Sequence, residues 1–278
     1  MTAVNLSTLL KKANKNNYAI AGLVVLGWED AFAYTQAANE TGIPIILQAG
    51  PSCREHTPVP ILGKMFRYLA EQTKIPICCH LDHGYSLKEC KEGMDNGFTS
   101  VMIDGSKLSL LKNIKLSSSV AKFAYSYKVS VEGEVGIVGY HNGKISEGTN
   151  IDEAKKFAIE SGVDAMAVSV GNTHLQTSKI AKIDFNKIIE IQKVTNIPLV
   201  LHGSSGIVNS MRRKIAKNTN VAKFNFGTEL RLSFGNSLRY NLLKNEKVFD
   251  RIKLLKPTIN PIKKTTKNII LNIGPRNE

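Results

Sequence analysis

Three of the six histidines in this 278-residue sequence, His83, His174 and His202, each follow a short apolar run. The first lies in Cys79-His80-Leu81-Asp82-His83-Gly84 and the second in Val170-Gly171-Asn172-Thr173-His174. The third lies in Leu201-His202-Gly203-Ser204-Ser205-Gly206. A single histidine is ordinarily a hydrogen-bonded structural residue. Three imidazoles brought to one place with a fourth position open suit a catalytic zinc site better than a closed structural one. Carboxylates end other runs: Asp104 in Met102-Ile103-Asp104-Gly105-Ser106, and Glu134 in Val131-Glu132-Gly133-Glu134. His80, inside its apolar run, reads as packed or as support for another group, and His56 and His141 read as loop residues.

Residues this far apart in the chain can meet only if their runs are strands of one sheet. Candidate strands cover 18–25, 43–49, 75–81, 100–103, 129–135, 165–170, 199–201 and 222–226, eight in all. Several are continuously apolar, as expected for parallel strands buried on both faces. Amphipathic helical stretches alternate with them at 28–41, 60–72, 86–96, 151–161, 184–194 and 208–218. An N-terminal helix places Leu6, Leu9, Leu10 and Ala13 on one face. Gly42-Ile43-Pro44, Lys74-Ile75-Pro76 and Asn196-Ile197-Pro198 each lead from a helix into a strand. The pattern predicts an α/β fold, a single (β/α)8 TIM barrel with parallel strands spanning residues 1–278, with an open doubly wound sheet as the alternative. The segment after about Asn236 reads as an extra C-terminal helical piece that turns irregular around Pro257 and Pro261. In such a barrel chemistry gathers at the C-terminal ends of the strands, where the three histidines fall.

Composition narrows the classes. No run of eighteen apolar residues occurs, so no membrane span is expected. The first residues lack the charged-then-apolar pattern of a secretory signal. Cys53, Cys78, Cys79 and Cys90 form no CxxC pair, which fits a reduced, cytoplasmic setting. The formal charge of +14 comes from lysines scattered along the chain, and it reads as a solvated surface, not a nucleic-acid site. A basic surface also attracts anionic substrates.

Taken together, residues 80–84, 102–106, 131–136, 201–207 and 225–231 (His-Leu-Asp-His-Gly, Met-Ile-Asp-Gly-Ser, Val-Glu-Gly-Glu-Val-Gly, Leu-His-Gly-Ser-Ser-Gly-Ile and Asn-Phe-Gly-Thr-Glu-Leu-Arg) resemble the class II, zinc-dependent fructose- and tagatose-bisphosphate aldolases. Each motif alone is weak. The five follow family order, and the resemblance runs from the first helix to about Leu238. It implies reversible metal-dependent aldol cleavage of a phosphorylated ketose to dihydroxyacetone phosphate and an aldehyde such as glyceraldehyde 3-phosphate. Fructose 1,6-bisphosphate is the default substrate and tagatose 1,6-bisphosphate the runner-up. By similarity, His83, His174 and His202 hold Zn2+, which polarises the ketone carbonyl and stabilises the enediolate. Asp82 takes and returns the C4-hydroxyl proton, or else orients an imidazole. Asp104 and Glu134 hold a second divalent or monovalent cation, or only neutralise the zinc site. Glu132 shares the side of its strand with Glu134 and reads as structural. Gly203, Ser204, Ser205, Gly227 and Thr228 receive phosphate ahead of helix N-termini, and Asn225 bonds the enediolate oxygens. No Schiff-base lysine is needed; Lys107 and Lys223 only flank strand ends. The resemblance also implies a homo-oligomer, a dimer or tetramer.

Four departures from the family pattern bear on the substrate. Leu175 and Gln176 follow the second histidine, where the family usually has glycine first. The loop after strand five, Gly139-Tyr140-His141-Asn142-Gly143, lacks the usual two glutamates, leaving His141 or Glu147 as substitutes. Strand one reads Ala21-Gly22-Leu23-Val24 and loses an asparagine. Arg54, in the loop after strand two, is placed to meet a second phosphate or a carboxylate, or else forms a surface ion pair. These changes motivate an alternative, a zinc- and phosphosugar-binding barrel without turnover.

Overall fold

The computed structural model describes residues 2–139, 147–244 and 246–275. Eight parallel strands pair in sequence order: β1 (Ile20–Val24), β2 (Ile45–Ala49), β3 (Ile77–Gly84), β4 (Ser100–Ile103), β5 (Ser130–Val135), β6 (Ala165–Val168), β7 (Leu199–Leu201) and β8 (Val221–Phe226). Closure comes from β8 pairing with β1, Phe224 opposite Ala21 and Asn225 opposite Gly22. The barrel is closed, and the open-sheet alternative is excluded.

Helices surround it: α1 (Leu6–Lys15), α2 (Trp28–Thr41), α3 (Pro51–His56), α4 (Val59–Glu71), α5 (Leu87–Asp95), α6 (Leu110–Tyr127), α7 (Ile151–Glu160), α8 (Phe185–Val194), α9 (Asn209–Asn218), α10 (Thr228–Lys244), α11 (Arg251–Leu255) and α12 (Ile259–Ile273). The short α3 has no counterpart among the amphipathic stretches, because six residues starting at a proline carry too few turns for a periodic signal. The expected irregularity holds at Pro257, inside a 3₁₀ turn, but not at Pro261. Pro261 falls in the first turn of α12, where the missing N–H has no helical acceptor to lose.

Two apolar layers follow from the two-residue period of the strands. Outward residues such as Leu23, Ile45, Leu47 and Leu81 pack against the helices. Ile20, Ile46, Cys78, Met102, Ala165, Ala167, Val200 and Ala222 fill the barrel, with Leu6, Leu9, Leu10 and Ala13 of α1 packed among them. The N-terminal helix thus stoppers one end, with Asn5 capping its first turn, and the chemistry is left to the other end. All four cysteines are free and buried, and burial pushes the thiols of Cys78 and Cys90 up to about 12.

Two register shifts interrupt the alternation. In β3, Leu81 pairs with Val101 but the next partners are Gly84 and Ile103. In β8, Val221 pairs with Leu199 and Lys223 already with Val200. Each shift is a bulge that adds one residue to a strand and re-aims side chains.

At the start of α2 the cap residue is Gly27, which has no side chain to offer, and Asp30 Oδ2 instead accepts from Leu26 N at 3.0 Å. Burial pushes the Asp30 carboxyl up to about 6, above an unfolded value near 3.9. Its contribution to stability is therefore full below about pH 4 and lost as pH rises through 6. Asp30→Asn keeps the acceptor without the charge. Urea unfolding should show the variant gaining on the parent by about 1–3 kcal/mol at pH 8 and matching it near pH 4; a gap independent of pH would contradict the assignment.

Candidate metal centre

The irregular end of β3 brings two consecutive residues to the barrel mouth. Neighbours in a regular strand point to opposite faces. Here the bulge, together with a left-handed backbone at His83 (φ 52°), turns both Asp82 and His83 toward the opening. Arg54 of α3 holds that backbone in place. Its Nη1 donates to Ala49 O at 2.7 Å and to Asp82 O, its Nη2 donates to His83 O at 3.0 Å, and Glu89 lies 3.5 Å away. The guanidinium is turned to these carbonyls, not to the open mouth.

Across the opening, His174 follows β6 and His202 follows β7. The ring centroids are 4.9 Å apart for His83 and His202, 5.6 Å for His174 and His202, and 5.7 Å for His83 and His174. One nitrogen from each ring lies within 4.8 Å of the others, the spacing a shared cation requires. A second group with the same spacing joins His83 to Asp104 and Glu134. Two of the rings are oriented from behind. His83 Nδ1 bonds Asp104 Oδ2 at 2.9 Å, and His202 Nε2 bonds Glu132 Oε1 at 3.0 Å. The other nitrogen of His202, Nδ1, is buried without a hydrogen bond, 3.8 Å from Glu134 Oε2. An imidazole fixed by a carboxylate through one nitrogen, with the other bare and facing two more imidazoles, fits a metal ligand.

The charges fit the same reading. Burial pulls His83 down, but Asp82, Asp104 and Glu134 outweigh it and hold the ring up at about 9. His174 goes the other way, to about 3, through burial and its two histidine neighbours. Burial also raises Asp82, yet His83, His80 and Lys223 hold it well below the usual carboxylate range. Glu134 is pushed up to about 7 by burial and by Asp104, and its Oε2 has no hydrogen-bond partner. Asp104 is held low by His83 and Ser106, whose N and Oγ donate to its Oδ1. Three carboxylates and three imidazoles, with unsatisfied atoms pointing inward, make a cation-seeking cavity.

Beneath the histidines lies a layer the sequence concealed. Lys223 looks like a flanking lysine on a lysine-rich chain, but the β8 bulge turns it into the barrel, where it is fully buried. Its Nζ donates to Glu132 Oε2 at 2.6 Å and lies 3.3 Å from His80 Nε2, while His80 Nδ1 bonds Ser100 Oγ at 2.9 Å. Glu132 is structural in a specific sense: it joins Lys223 to His202.

The expected phosphate residues gather between β7, β8 and α10. Gly203 is left-handed (φ 62°), and a Cβ there would lie 2.2 Å from Thr173 O, so the turn packs directly on the loop after β6. The Ser204 hydroxyl donates to Leu201 O at 2.8 Å and is turned inward. Ser205 Oγ accepts from Glu229 N at 3.2 Å, leaving its own proton to give. Gly227 and Thr228 lead into α10. Asn225 is buried with both amide atoms unpartnered, as is Gln48 on β2. A Cβ at Gly22 would lie 1.7 Å from Gln48 Oε1 and 2.7 Å from Asn225 Oδ1. The Gln48 amide thus occupies the space that Gly22 leaves open, beside Asn225. Leu175 keeps a left-handed backbone (φ 56°), the conformation a glycine would take, and is half exposed. His141 lies outside the described residues, and Glu147 is exposed in a bridge with Ile137. A groove of about 1020 Å³ beside β1, lined by Trp28, Phe32 and Arg231, contains none of the three histidines.

Two substitutions test this geometry. Lys223→Met leaves the Glu132 charge buried with its cation gone, and should cost about 3–5 kcal/mol in denaturant unfolding. A loss below 1 kcal/mol would mean that the pair is solvated. Leu175→Gly removes a left-handed side-chain penalty and should leave the protein level or more stable by up to about 1 kcal/mol, as read by thermal unfolding.

The comparisons agree with the architecture. The family described as fructose-bisphosphate aldolase class-II matches residues 4–278. A 6-phospho-5-dehydro-2-deoxy-D-gluconate aldolase of Shouchella clausii is 32% identical over 286 residues, covering 100% of this chain and 97% of the relative. One of Bacillus licheniformis is 33% identical over 282 residues, covering 99% and 96%. Among solved structures, the YdjI aldolase of Escherichia coli K12 superposes with a TM-score of 0.87 at 25% identity, covering 98% of this chain and 97% of that one. The fructose-bisphosphate aldolase of Campylobacter jejuni superposes with a TM-score of 0.80 at 20% identity, covering 96% and 93%. From the plug of the barrel to its last helix the chain has a counterpart in these relatives: it belongs to the class II fructose-bisphosphate aldolase family, and it is a lyase.

Proposed function

We propose that the chain catalyses reversible, zinc-dependent aldol cleavage of a phosphorylated ketose, releasing dihydroxyacetone phosphate and an aldehyde. The observation that carries this reading is the trio His83, His174 and His202 with a bare, buried Nδ1 on His202 and Asp82 beside it. These three residues are the proposed zinc ligands. A bound zinc ion supplies Lewis acidity to the ketone carbonyl.

The remaining work falls to the chain's own groups. Asp82 is held ionised by its neighbours, and its Oδ1 has no hydrogen-bond partner. It takes the proton from the hydroxyl β to the ketone as the adjacent carbon–carbon bond breaks, and returns it in condensation. The bonding electrons pass to the three-carbon unit, where the amides of Asn225 and Gln48 face the developing charge. Ser205, Thr228 and the backbone of Gly203 and Gly227 hold the phosphate at the start of α10. Asp104 already bonds His83 and Ser106, which favours an orienting role for it over a second cation site shared with Glu134. Arg54 fixes the backbone of Asp82 and His83, so a second anion on the substrate must be met elsewhere. His141 and Glu147 are the two candidates for proton return to the carbon of the three-carbon unit.

The curated relatives favour a phosphorylated keto acid over a ketose bisphosphate. Cleavage of 6-phospho-5-dehydro-2-deoxy-D-gluconate between C3 and C4 gives dihydroxyacetone phosphate and 3-oxopropanoate. Fructose 1,6-bisphosphate and tagatose 1,6-bisphosphate are the second reading, supported by the family resemblance of the histidine motifs.

Purified protein offered these three substrates should release dihydroxyacetone phosphate from one of them, stop on chelation and recover with zinc. Asp82→Asn should lower turnover about 10²–10⁴-fold while zinc content is kept. Zinc and phosphosugar binding with no release from any of the three would establish the barrel as a binding module instead.

A further inference from the structure

The α9 side of the turn after β7 holds an arginine with no outlet to solvent. Arg212 is 1% exposed, and all five of its N–H groups have acceptors. Nε donates to Ser204 O at 3.0 Å and Nη2 to Ser205 O at 3.0 Å. Nη2 also meets Glu229 Oε1, while Nη1 reaches Asn209 Oδ1 at 3.3 Å and Glu229 Oε2 at 3.5 Å. The guanidinium also sits over the Phe226 ring, 4.8 Å from its centroid.

An ion pair between α9 and α10 needs only Glu229. The bonds to two successive carbonyls of the turn do something else. In a trans peptide the N–H points opposite to the preceding C=O. Holding Ser204 O and Ser205 O toward α9 therefore turns the N–H groups of Ser205 and Gly206 away from it. Gly206 N is taken by Gly203 O at 3.2 Å, which leaves the Ser205 N–H as the outward donor of the pair. Glu229 N in turn bonds Ser205 Oγ, so one guanidinium ties the turn after β7 to the first turn of α10, where Thr228 lies. The same contact neutralises the Glu229 carboxylate, which otherwise stands beside the place proposed for an anion. Lys179, 3.3 Å from Glu229, adds to this.

We propose that Arg212 is a positioning residue for the substrate's phosphate, setting the spacing between the Ser205 donors and the α10 N-terminus and cancelling the charge of Glu229. This rests on the reading of 203–206 and 227–228 as the phosphate site. The test is titration calorimetry of zinc-loaded protein with inorganic phosphate, alongside steady-state kinetics. Arg212→Met should weaken phosphate binding and raise KM for the phosphorylated ketose about 10–100-fold, the worth of one or two bonds to a charged group, with kcat and zinc content little changed. Condensation with unphosphorylated dihydroxyacetone should be unaffected, and Arg212→Lys, which restores charge but not the fork, should fall between. Equal losses with phosphorylated and unphosphorylated substrates would reduce Arg212 to a packing role and overturn the proposal. If Arg212→Met does not fold, Arg212→Lys alone must show the phosphate-selective loss. Ser205→Ala and Thr228→Val separate the two levels. Weaker phosphate binding in these, but not in the Arg212 variants, would overturn only the role of Arg212. Unchanged binding in all of them would remove the phosphate site itself.

Discussion

The Glu132 carboxylate, fully enclosed in the barrel, is the contact on which the mouth depends. Lys223 and His202 share it, one oxygen each. A charge taken out of water this completely persists only if paired and hydrogen-bonded, and here both conditions are met by groups that also face upward. Burial pushes Glu132 up, but Lys223 and His202 win and bring it down to about 2. An always-ionised carboxylate then fixes which nitrogen of His202 carries the proton, and so which nitrogen is left bare. The candidate metal site is built from below as much as from the three imidazoles that would hold the ion.

Much of this was legible because barrels repeat. Apolar runs separated by amphipathic stretches give the strand order, and polar residues at the ends of runs give the mouth. His83, His174 and His202 come together as their positions at the end of β3 and after β6 and β7 imply. What the pattern could not show are the two bulges. A period of two places Asp82 and His83 on opposite faces and gives no reason to turn Lys223 inward; one inserted residue in each strand changes both. The contacts of two arginines were hidden for a related reason. A guanidinium in a surface-like stretch says nothing of which carbonyls it meets, and both Arg54 and Arg212 are occupied by backbone.

The departures from the family pattern also look different in three dimensions. Beside strand one, which loses an asparagine, Gln48 occupies space that only a glycine at position 22 leaves free. Leu175 has the left-handed backbone that a glycine adopts readily. Substitutions that look disruptive in one dimension are accommodated within a closed barrel.

The stopper at the other end of the barrel has a consequence in time. Leu6, Leu9 and Leu10 leave the ribosome before every strand of the barrel, yet their seat includes Ala222 near the start of the last one. During synthesis the helix must wait, its apolar face uncovered, until some two hundred further residues have emerged. Contacts this distant in sequence are slow to form, and apolar surface left exposed meanwhile favours association with other chains. For this barrel, the vulnerable interval in its making is set by its first ten residues.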